Sequence, residues 1–115
     1  MDEILECGIH LFNNEQFFEC HEVLEILWTA ERGPRRLFLQ ALIHFAVAFH
    51  HDGRANPAGA RRQLGKGLRK LAAYLPACEG IDTARLHREG LAAAEHMAVD
   101  AAVTPYPKIH LVAEL

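Results

Sequence analysis

The segment over residues 18–28 combines side chains that bind metal ions and transfer protons with the single tryptophan of the chain. It contains three carboxylates and one imidazole within eleven residues. On a helix, His21 and Glu25 lie one turn apart along the margin of an apolar stripe, whereas Glu22 points mostly away from it. Burying polar groups at the edge of such a stripe is costly unless each finds a partner. The segment therefore predicts a second polar surface facing this helix.

A matching surface occurs in the next apolar run, over residues 37–49, which the pair His50 and His51 closes. Leu, Phe, Ile, Val and Ala fill nearly all of its positions, but Gln40, His44 and His51 form one row on a helix, with Val47 between them. Two neighbouring helices thus each carry a narrow polar seam. We expect the seams to face each other, so that the polar groups of the first, including the tryptophan indole N–H, are satisfied by those of the second.

The residue types in the two seams are those that bind transition metals. We expect His21 and Glu25 to hold a divalent ion, with His44 or His51 from the facing helix as a further ligand. Glu22 is the candidate catalytic residue, as a general base toward water. Mixed imidazole and carboxylate ligands suit Zn, Mn or Fe. These residues favour a metal-dependent hydrolase between the second and third helices.

The same residues also allow a second hypothesis. In the metal hypothesis, Trp28 and Gln40 are the candidate substrate-binding residues for a small molecule, although packing in the core is the simpler role for Trp28. Alternatively, both residues join His21, Glu25 and His51 in a structural polar network that fixes how the helices pack. The chain would then be a non-enzymatic interaction module, and a homodimer would cover apolar surface that a thin helical array leaves bare.

Composition is that of one small globular domain. The chain has 115 residues, half of them apolar, and no uncharged apolar run of 18 residues, so we expect no membrane span. The acidic start Met1-Asp2-Glu3 lacks a signal-peptide pattern, which favours a cytoplasmic location. Three widely spaced cysteines predict buried reduced thiols: Cys7, Cys20 and Cys78.

Charge is segregated along the chain. Residues 1–31 hold eight acids and no Lys or Arg, whereas residues 54–70 hold six basic residues and no acid. A basic helix can dock an anionic ligand such as RNA, or it can complement the acidic helices. We favour the second explanation and disfavour nucleic acid, because no aromatic residue lies among the cations and the net charge is −3.

The apolar repeats and the capping and helix-breaking residues between them predict an all-α fold of about five antiparallel helices, in a compact orthogonal or tetratricopeptide-like array. Asp2, Asn14, Asn56 and Asp82 are candidate helix caps, and Pro34 is placed in the first turn of the third helix. We assign residues 1–103 to a single helical domain and residues 104–115 to a non-helical tail, because Thr-Pro-Tyr-Pro ends the last helix.

The fourth helix carries an apolar stripe and an unusual number of glycines. Its stripe is Leu64, Leu68, Leu71 and Leu75. Glycine within a helix costs up to about 1 kcal/mol relative to alanine. We therefore expect another helix to approach closely at these glycines, which are Gly59, Gly65 and Gly67.

These residues resemble a known prokaryotic family. The Glu-x-His-Glu-x-x-Glu-x-x-Trp helix, the Gly33-Pro34 turn, the Leu-Gln helix and the His-His pair that closes it resemble domain of unknown function 309 over roughly residues 5–75. The resemblance implies a small all-helical protein, sometimes labelled a predicted metal-dependent hydrolase. The family usually has Gln at the position of His44, so this chain departs from it there. The positions that the resemblance implicates are Glu19, His21, Glu22, Glu25, Trp28, Gln40 and His51.

Overall fold

Five α-helices follow one another with short connections in the computed structural model, which describes residues 1–112. They are α1 (Glu3–Asn13), α2 (Phe17–Ala30), α3 (Arg36–Gly53), α4 (Pro57–Leu71) and α5 (Thr83–Ala98), with a 3-10 turn at Ala72–Tyr74. Each helix packs against the next, and the α3–α4 interface is the most extensive. Over residues 1–112, extended backbone forms only isolated bridges. The all-α prediction is confirmed, and no described helix is long and apolar enough to cross a membrane.

Three of the predicted helix caps are confirmed. The Asp2 carboxylate accepts hydrogen bonds from two backbone N–H groups of the first turn of α1. Asn56 accepts from the backbone N–H of Gly59 at 3.1 Å, and Pro57 follows it at the first position of α4. Asp82 accepts from the N–H of Arg85 at 3.0 Å. Each cap satisfies donors that a helix start leaves without partners, so these residues fix where three helices begin.

Two predicted helix starts are wrong. Asn14 does not cap α2, because its backbone N–H bonds back to α1, which it ends. The chain then reverses through Glu15 in the left-handed conformation (φ 61°), and Gln16 precedes α2 without a side-chain cap. Pro34 lies before α3 rather than in its first turn, because residues 33–36 form a turn in which Arg36 N–H donates to the carbonyl of residue 33.

The centre of the core is α3, and two glycines let α4 and α5 approach it. A Cβ atom on Gly67 would lie 2.8 Å from Cδ1 of Phe45, and one on Gly90 would lie 2.8 Å from Cε2 of the same ring. The Phe45 ring is fully buried. The predicted close approach is therefore confirmed at Gly67. It is wrong at Gly65, where the nearest atom is the flexible end of an arginine of the same helix.

The leucine stripe of α4 is shorter than predicted. Leu64 and Leu71 are fully buried and Leu68 nearly so. Leu75 lies beyond the end of α4 in extended backbone, and 39% of it is exposed. The helical repeat stops at the 3-10 turn, so the fourth leucine no longer shares the face of the other three.

The chain after α5 is not helical over residues 99–112 and packs back across the helices. The Tyr106 ring meets Phe17 edge-on at 5.3 Å between centroids, and its hydroxyl donates to the Asp52 carboxylate at 2.6 Å. The Asn13 side chain both donates to and accepts from the backbone of Ile109. These contacts cover the ends of α1, α2 and α3. Residues 113–115, which the predicted tail includes, lie outside the described residues.

The three cysteines are free thiols in different surroundings. Cys20 is fully buried, and this burial, with a smaller contribution from Cys7, raises the pKa of its thiol to about 12. It is therefore inert at neutral pH. Cys78 is half-buried. Cys7 is exposed, so the prediction of a buried thiol is wrong there, because the buried face of α1 consists of Leu5, Gly8, Ile9 and Phe12.

Candidate functional site

A cleft of about 260 Å³ opens where α2, α3 and α4 meet. One side, here the α2 wall, consists of His21, Glu25 and Trp28. The other, here the α3/α4 wall, consists of Gln40, Ile43, His44, Val47 and Gln63. The structure thus brings the polar seam of α2 opposite that of α3. It does so because the remaining faces of α3 are buried against the core, which leaves the row of Gln40, His44 and Val47 at the margin.

On the α2 wall, His21 is held between a backbone carbonyl and a carboxylate. Its Nδ1 lies 3.1 Å from the carbonyl oxygen of Phe18, an acceptor, so Nδ1 carries a hydrogen. Its Nε2 lies 3.2 Å from Oε1 of Glu25. A neutral ring with hydrogen on Nδ1 would point its Nε2 lone pair at that carboxylate, which is unfavourable. The geometry of the pair therefore suits either a protonated His21 ring or a cation bound between Nε2 and the Glu25 carboxylate.

Stacked rings support the orientation of His21 from outside the cleft. Phe18 stacks on the His21 ring with centroids 5.3 Å apart and on the His50 ring at 5.4 Å. Phe18 is 43% exposed, so its ring is not held by burial in the core. The stack of imidazole, phenyl and imidazole restricts the side-chain torsions of His21, a role of His50 that was not predicted from the sequence.

On the α3/α4 wall, His44 uses both ring nitrogens within the protein. Its Nδ1 lies 2.7 Å from Oε1 of Gln63, and its Nε2 lies 3.2 Å from Nζ of Lys70. Burial is the main reason why the pKa of His44 lies below its ordinary value; the bond to Gln63 opposes this shift, and the charge of Lys70 adds to it. His44 is therefore neutral at neutral pH, and neither nitrogen is left free for a metal ion.

Trp28 borders the cleft, but its indole N–H lacks the predicted hydrogen bond. Its indole Nε1 is buried and has no partner among residues 1–112. The guanidinium of Arg36 lies 4.0 Å above the ring centroid and donates to the Trp28 carbonyl at 2.6 Å. The expectation that α3 satisfies the indole is wrong, because His44 and His51 bond elsewhere and Gln40 makes no hydrogen bond to it. The ring is instead fixed by packing and by the cation above it.

Two predicted site residues lie outside the cleft. His51 sits at the end of α3, where its Nδ1 accepts from the Asn56 side chain at 3.2 Å, next to the cap of α4. Glu22 is exposed and is not among the residues that line the cleft. It is one residue along α2 from His21, a rotation of about 100°, which turns its carboxylate away from α3. Glu19, which the family resemblance also implicates, is exposed as well.

Gln63 completes the cleft and was missed from the sequence. It lies one turn before Gly67, on the face of α4 that meets α3, but the basic residues around it marked this segment as a charged surface. Within residues 1–112, no three His, Cys, Asp or Glu side chains are grouped closely enough to hold a metal ion. Metal coordination here would rest on His21 and Glu25, with other donors supplied by amide side chains, water or a ligand.

Comparisons with known proteins identify a family and a relative of this chain. A Bacillus subtilis (strain 168) relative described as "Uncharacterized protein YpuF" is 40% identical over 73 residues, which are 61% of this chain and 42% of the relative. The chain therefore spans less than half the length of that relative. The model of the family described as "Domain of unknown function (DUF309)" matches residues 5–63, which include most of α1, all of α2 and α3, the start of α4 and every residue lining the cleft. The chain belongs to the DUF309 family.

Proposed function

We propose that the cleft is a metal-dependent hydrolase-like site in which His21 and Glu25 bind a divalent ion. One observation carries the proposal: Nε2 of His21 lies 3.2 Å from Oε1 of Glu25 at the edge of the cleft. The carbonyl of Phe18 holds the opposite ring nitrogen. Metal-binding histidines commonly donate their second N–H to such an acceptor, which fixes the tautomer and the ring orientation.

The donor set fits a transition-metal ion. Nitrogen and oxygen ligands about 2.0–2.2 Å from a tetrahedral ion lie about 3.3 Å from each other, close to the separation of this pair. Imidazole with carboxylate suits Zn, Mn or Fe. Gln40 lines the same cleft and makes no side-chain hydrogen bond within residues 1–112, so its carbonyl oxygen is the best further protein donor. A site with so few protein ligands keeps positions for water and substrate.

Each residue of the cleft has a distinct role in this proposal. A bound ion would supply Lewis-acid polarisation of a substrate carbonyl or phosphoryl oxygen. His21 and Glu25 would hold it, Gln40 would complete its coordination, and Trp28 would form an apolar side against which substrate packs. Glu22 remains the predicted general base. Its carboxylate is exposed on the neighbouring face of α2, so this role requires a further group that encloses the carboxylate together with the cleft.

Thermal unfolding with and without metal tests binding. A ligand present at 100 times its Kd stabilises the folded state by about 2.7 kcal/mol. For a chain of this size, that stabilisation raises Tm by roughly 10 °C. We expect Zn or Mn to raise the Tm of the wild-type protein, and His21→Ala and Glu25→Gln each to remove that rise.

His96→Ala is the matched control for the metal experiment. His96 is also a helical histidine with Nδ1 bonded to a backbone carbonyl, at 2.8 Å, but no carboxylate lies within 4 Å of it among the described residues. The control should keep the full metal-dependent rise in Tm. An unchanged wild-type Tm across Zn, Mn and Fe would leave an imidazolium–carboxylate pair as the role of His21 and Glu25.

Hydrolysis is tested separately from binding. The metal-loaded protein is assayed with 4-nitrophenyl acetate and bis(4-nitrophenyl) phosphate, and we expect turnover that His21→Ala and treatment with a chelator both abolish. Turnover that survives in His21→Ala would come from elsewhere and would contradict the hydrolase proposal.

A further inference from the structure

A series of hydrogen bonds runs from Lys70 through His44 to Gln63 on the α3/α4 wall. An ammonium group has only donors, so Nε2 of His44 accepts from Lys70 at 3.2 Å. The neutral ring must then carry its hydrogen on Nδ1, which donates to Gln63 at 2.7 Å. The atom of Gln63 at that position is therefore the amide oxygen. In each hydrogen bond of the series, the donor is on the Lys70 side and the acceptor is on the Gln63 side.

The series leaves the Gln63 amide as a donor in the cleft. Its oxygen is used by His44, so its NH2 group is the polar end left for a ligand, and Gln63 lines the cleft. Hydrogen bonds arranged in series polarise one another, so the bond from His44 strengthens this donor. Gln63 thus presents N–H groups, whereas Glu25 on the opposite wall presents carboxylate oxygens.

The surroundings of the series are positively charged. Lys66, Arg69 and Lys70 all lie near enough to oppose protonation of His44, and this is part of the reason why its pKa is lowered, after burial. Residues 54–70 contain no acid. The nearest anionic group across the cleft is Glu25, which is paired with His21. This wall therefore favours an anion at Gln63.

The cleft also has a small apolar part. Ile43 and Val47 of α3 lie along it, and the Trp28 ring borders it. A volume of about 260 Å³ suits a short alkyl group attached to a charged head.

We infer that the cleft binds a small organic anion, a carboxylate or a phosphate monoester, whose oxygens accept hydrogen bonds from the Gln63 amide. The short apolar part of that anion packs against Ile43, Val47 and Trp28. This inference rests on the proposed function and deepens it, since it names the substrate class of the same cleft. The negatively charged oxygens of such an anion would lie between the Gln63 donors and an ion bound by His21 and Glu25.

Fluorescence of Trp28, the single tryptophan of the chain, tests the inference directly. The protein is titrated in a chelator with butyl phosphate and with pentanoate, and with pentanol as the uncharged control. We expect saturable changes in emission with at least one anion and none with pentanol in the same concentration range. Comparison of the two anions identifies phosphate or carboxylate as the preferred head group.

Two variants test the donors. Gln63→Glu keeps an acceptor for His44 but puts a negative charge where the anion binds, and Gln63→Leu removes the donor. A hydrogen bond to a charged group is worth about ten- to hundredfold in affinity. We expect Gln63→Leu to weaken anion binding by that factor and Gln63→Glu to abolish it. Lys70→Met removes the first donor of the series and should also weaken anion binding. This variant provides the test if the Gln63 variants do not fold.

Arg62→Ala is the matched control, because Arg62 is an exposed base of α4 that makes no hydrogen bond or ion pair within residues 1–112. It should leave anion affinity within about twofold of the wild-type value, since an isolated exposed charge is screened by salt.

Equal binding of pentanol and pentanoate, or equal losses in Arg62→Ala and Lys70→Met, would overturn the inference. Anion binding that requires metal and ignores Gln63→Glu would overturn it while sparing the proposed function. Anion binding in chelator that Gln63→Glu abolishes supports it even if no metal changes Tm.

Discussion

The two walls of the cleft each contain a histidine with Nδ1 fixed by an oxygen acceptor, but groups of opposite charge face the other nitrogen. On the α2 wall, Nε2 of His21 faces the Glu25 carboxylate; on the α3/α4 wall, Nε2 of His44 faces the Lys70 ammonium. The first arrangement suits either an imidazolium or a cation between the ring and the carboxylate. The second satisfies the lone pair with a donor and keeps the ring neutral. The same side chain is thus prepared for different chemistry by the charged group that faces its Nε2.

The walls also differ in how much they contribute to folding. The Glu25 side chain is 49% exposed and the His21 side chain 24%, and both lie on one helix. His44 instead joins α3 to two residues of α4 across the most extensive helix interface. An exposed pair within one helix contributes little to stability, whereas a half-buried series between helices leaves unpaired groups when it is cut. Stability measurements therefore separate the two walls.

The largest expected effect is the loss of Trp28. Trp28→Ala removes a half-buried ring and the face over which Arg36 lies, so we expect the free energy of unfolding to fall by about 2–4 kcal/mol. Ile26→Ala on the exposed side of the same helix should change it by less than about 0.5 kcal/mol. Denaturant unfolding with matched m-values measures both. Equal effects in the two variants would show that Trp28 does not support the α2 wall.

The two histidines should differ next. His44→Ala leaves Gln63 and Lys70 without partners, which costs about 1–3 kcal/mol. His21→Ala without metal cuts an exposed pair within one helix and should cost less than about 1 kcal/mol. Urea unfolding in chelator compares them directly. A His21→Ala variant that is destabilised as much as His44→Ala would indicate a structural network on both walls and would argue against a binding site.

The pH dependence should distinguish the walls as well. Because the pKa of His44 in the folded protein lies below its ordinary value of 6.5, the unfolded chain binds more protons on acidification. The stability contributed by neutral His44 is present above about pH 6.5 and is lost as the pH falls toward the pKa of the folded protein. His44→Gln cannot titrate, so its Tm should fall less between pH 7.5 and pH 5.5, about one unit to either side of 6.5. Parallel decreases in Tm would contradict this assignment.

The smallest effect is expected for Glu25→Gln in the absence of metal. An exposed ion pair between residues four apart on a helix is worth about 0.3–0.5 kcal/mol, and salt screens it. We expect a decrease in stability of that size, which disappears at about 1 M salt. A loss above about 1 kcal/mol that persists in high salt would mean that Glu25 has a buried role.

Much of the α2 wall followed from the sequence because it depends on one helix. The four-residue spacing of His21 and Glu25 is enough to bring their side chains together on any straight helix, and their contact at 3.2 Å follows from it. Similarly, Asp2, Asn56 and Asp82 cap their helices through local geometry. The row of polar residues on α3 follows from its apolar periodicity.

Only the tertiary structure decided the partners across helices. His44 bonds residues 19 and 26 positions away, and His51, in the same row, bonds the cap of α4 instead of the cleft. Periodicity determines which residues share a face, but it does not fix the rotation and register of one helix against another. In this protein those are set by packing, with α4 and α5 brought against the Phe45 ring at two glycines. That approach places Gln63 in the cleft and Lys70 beside His44, and it gives the α3/α4 wall its donors.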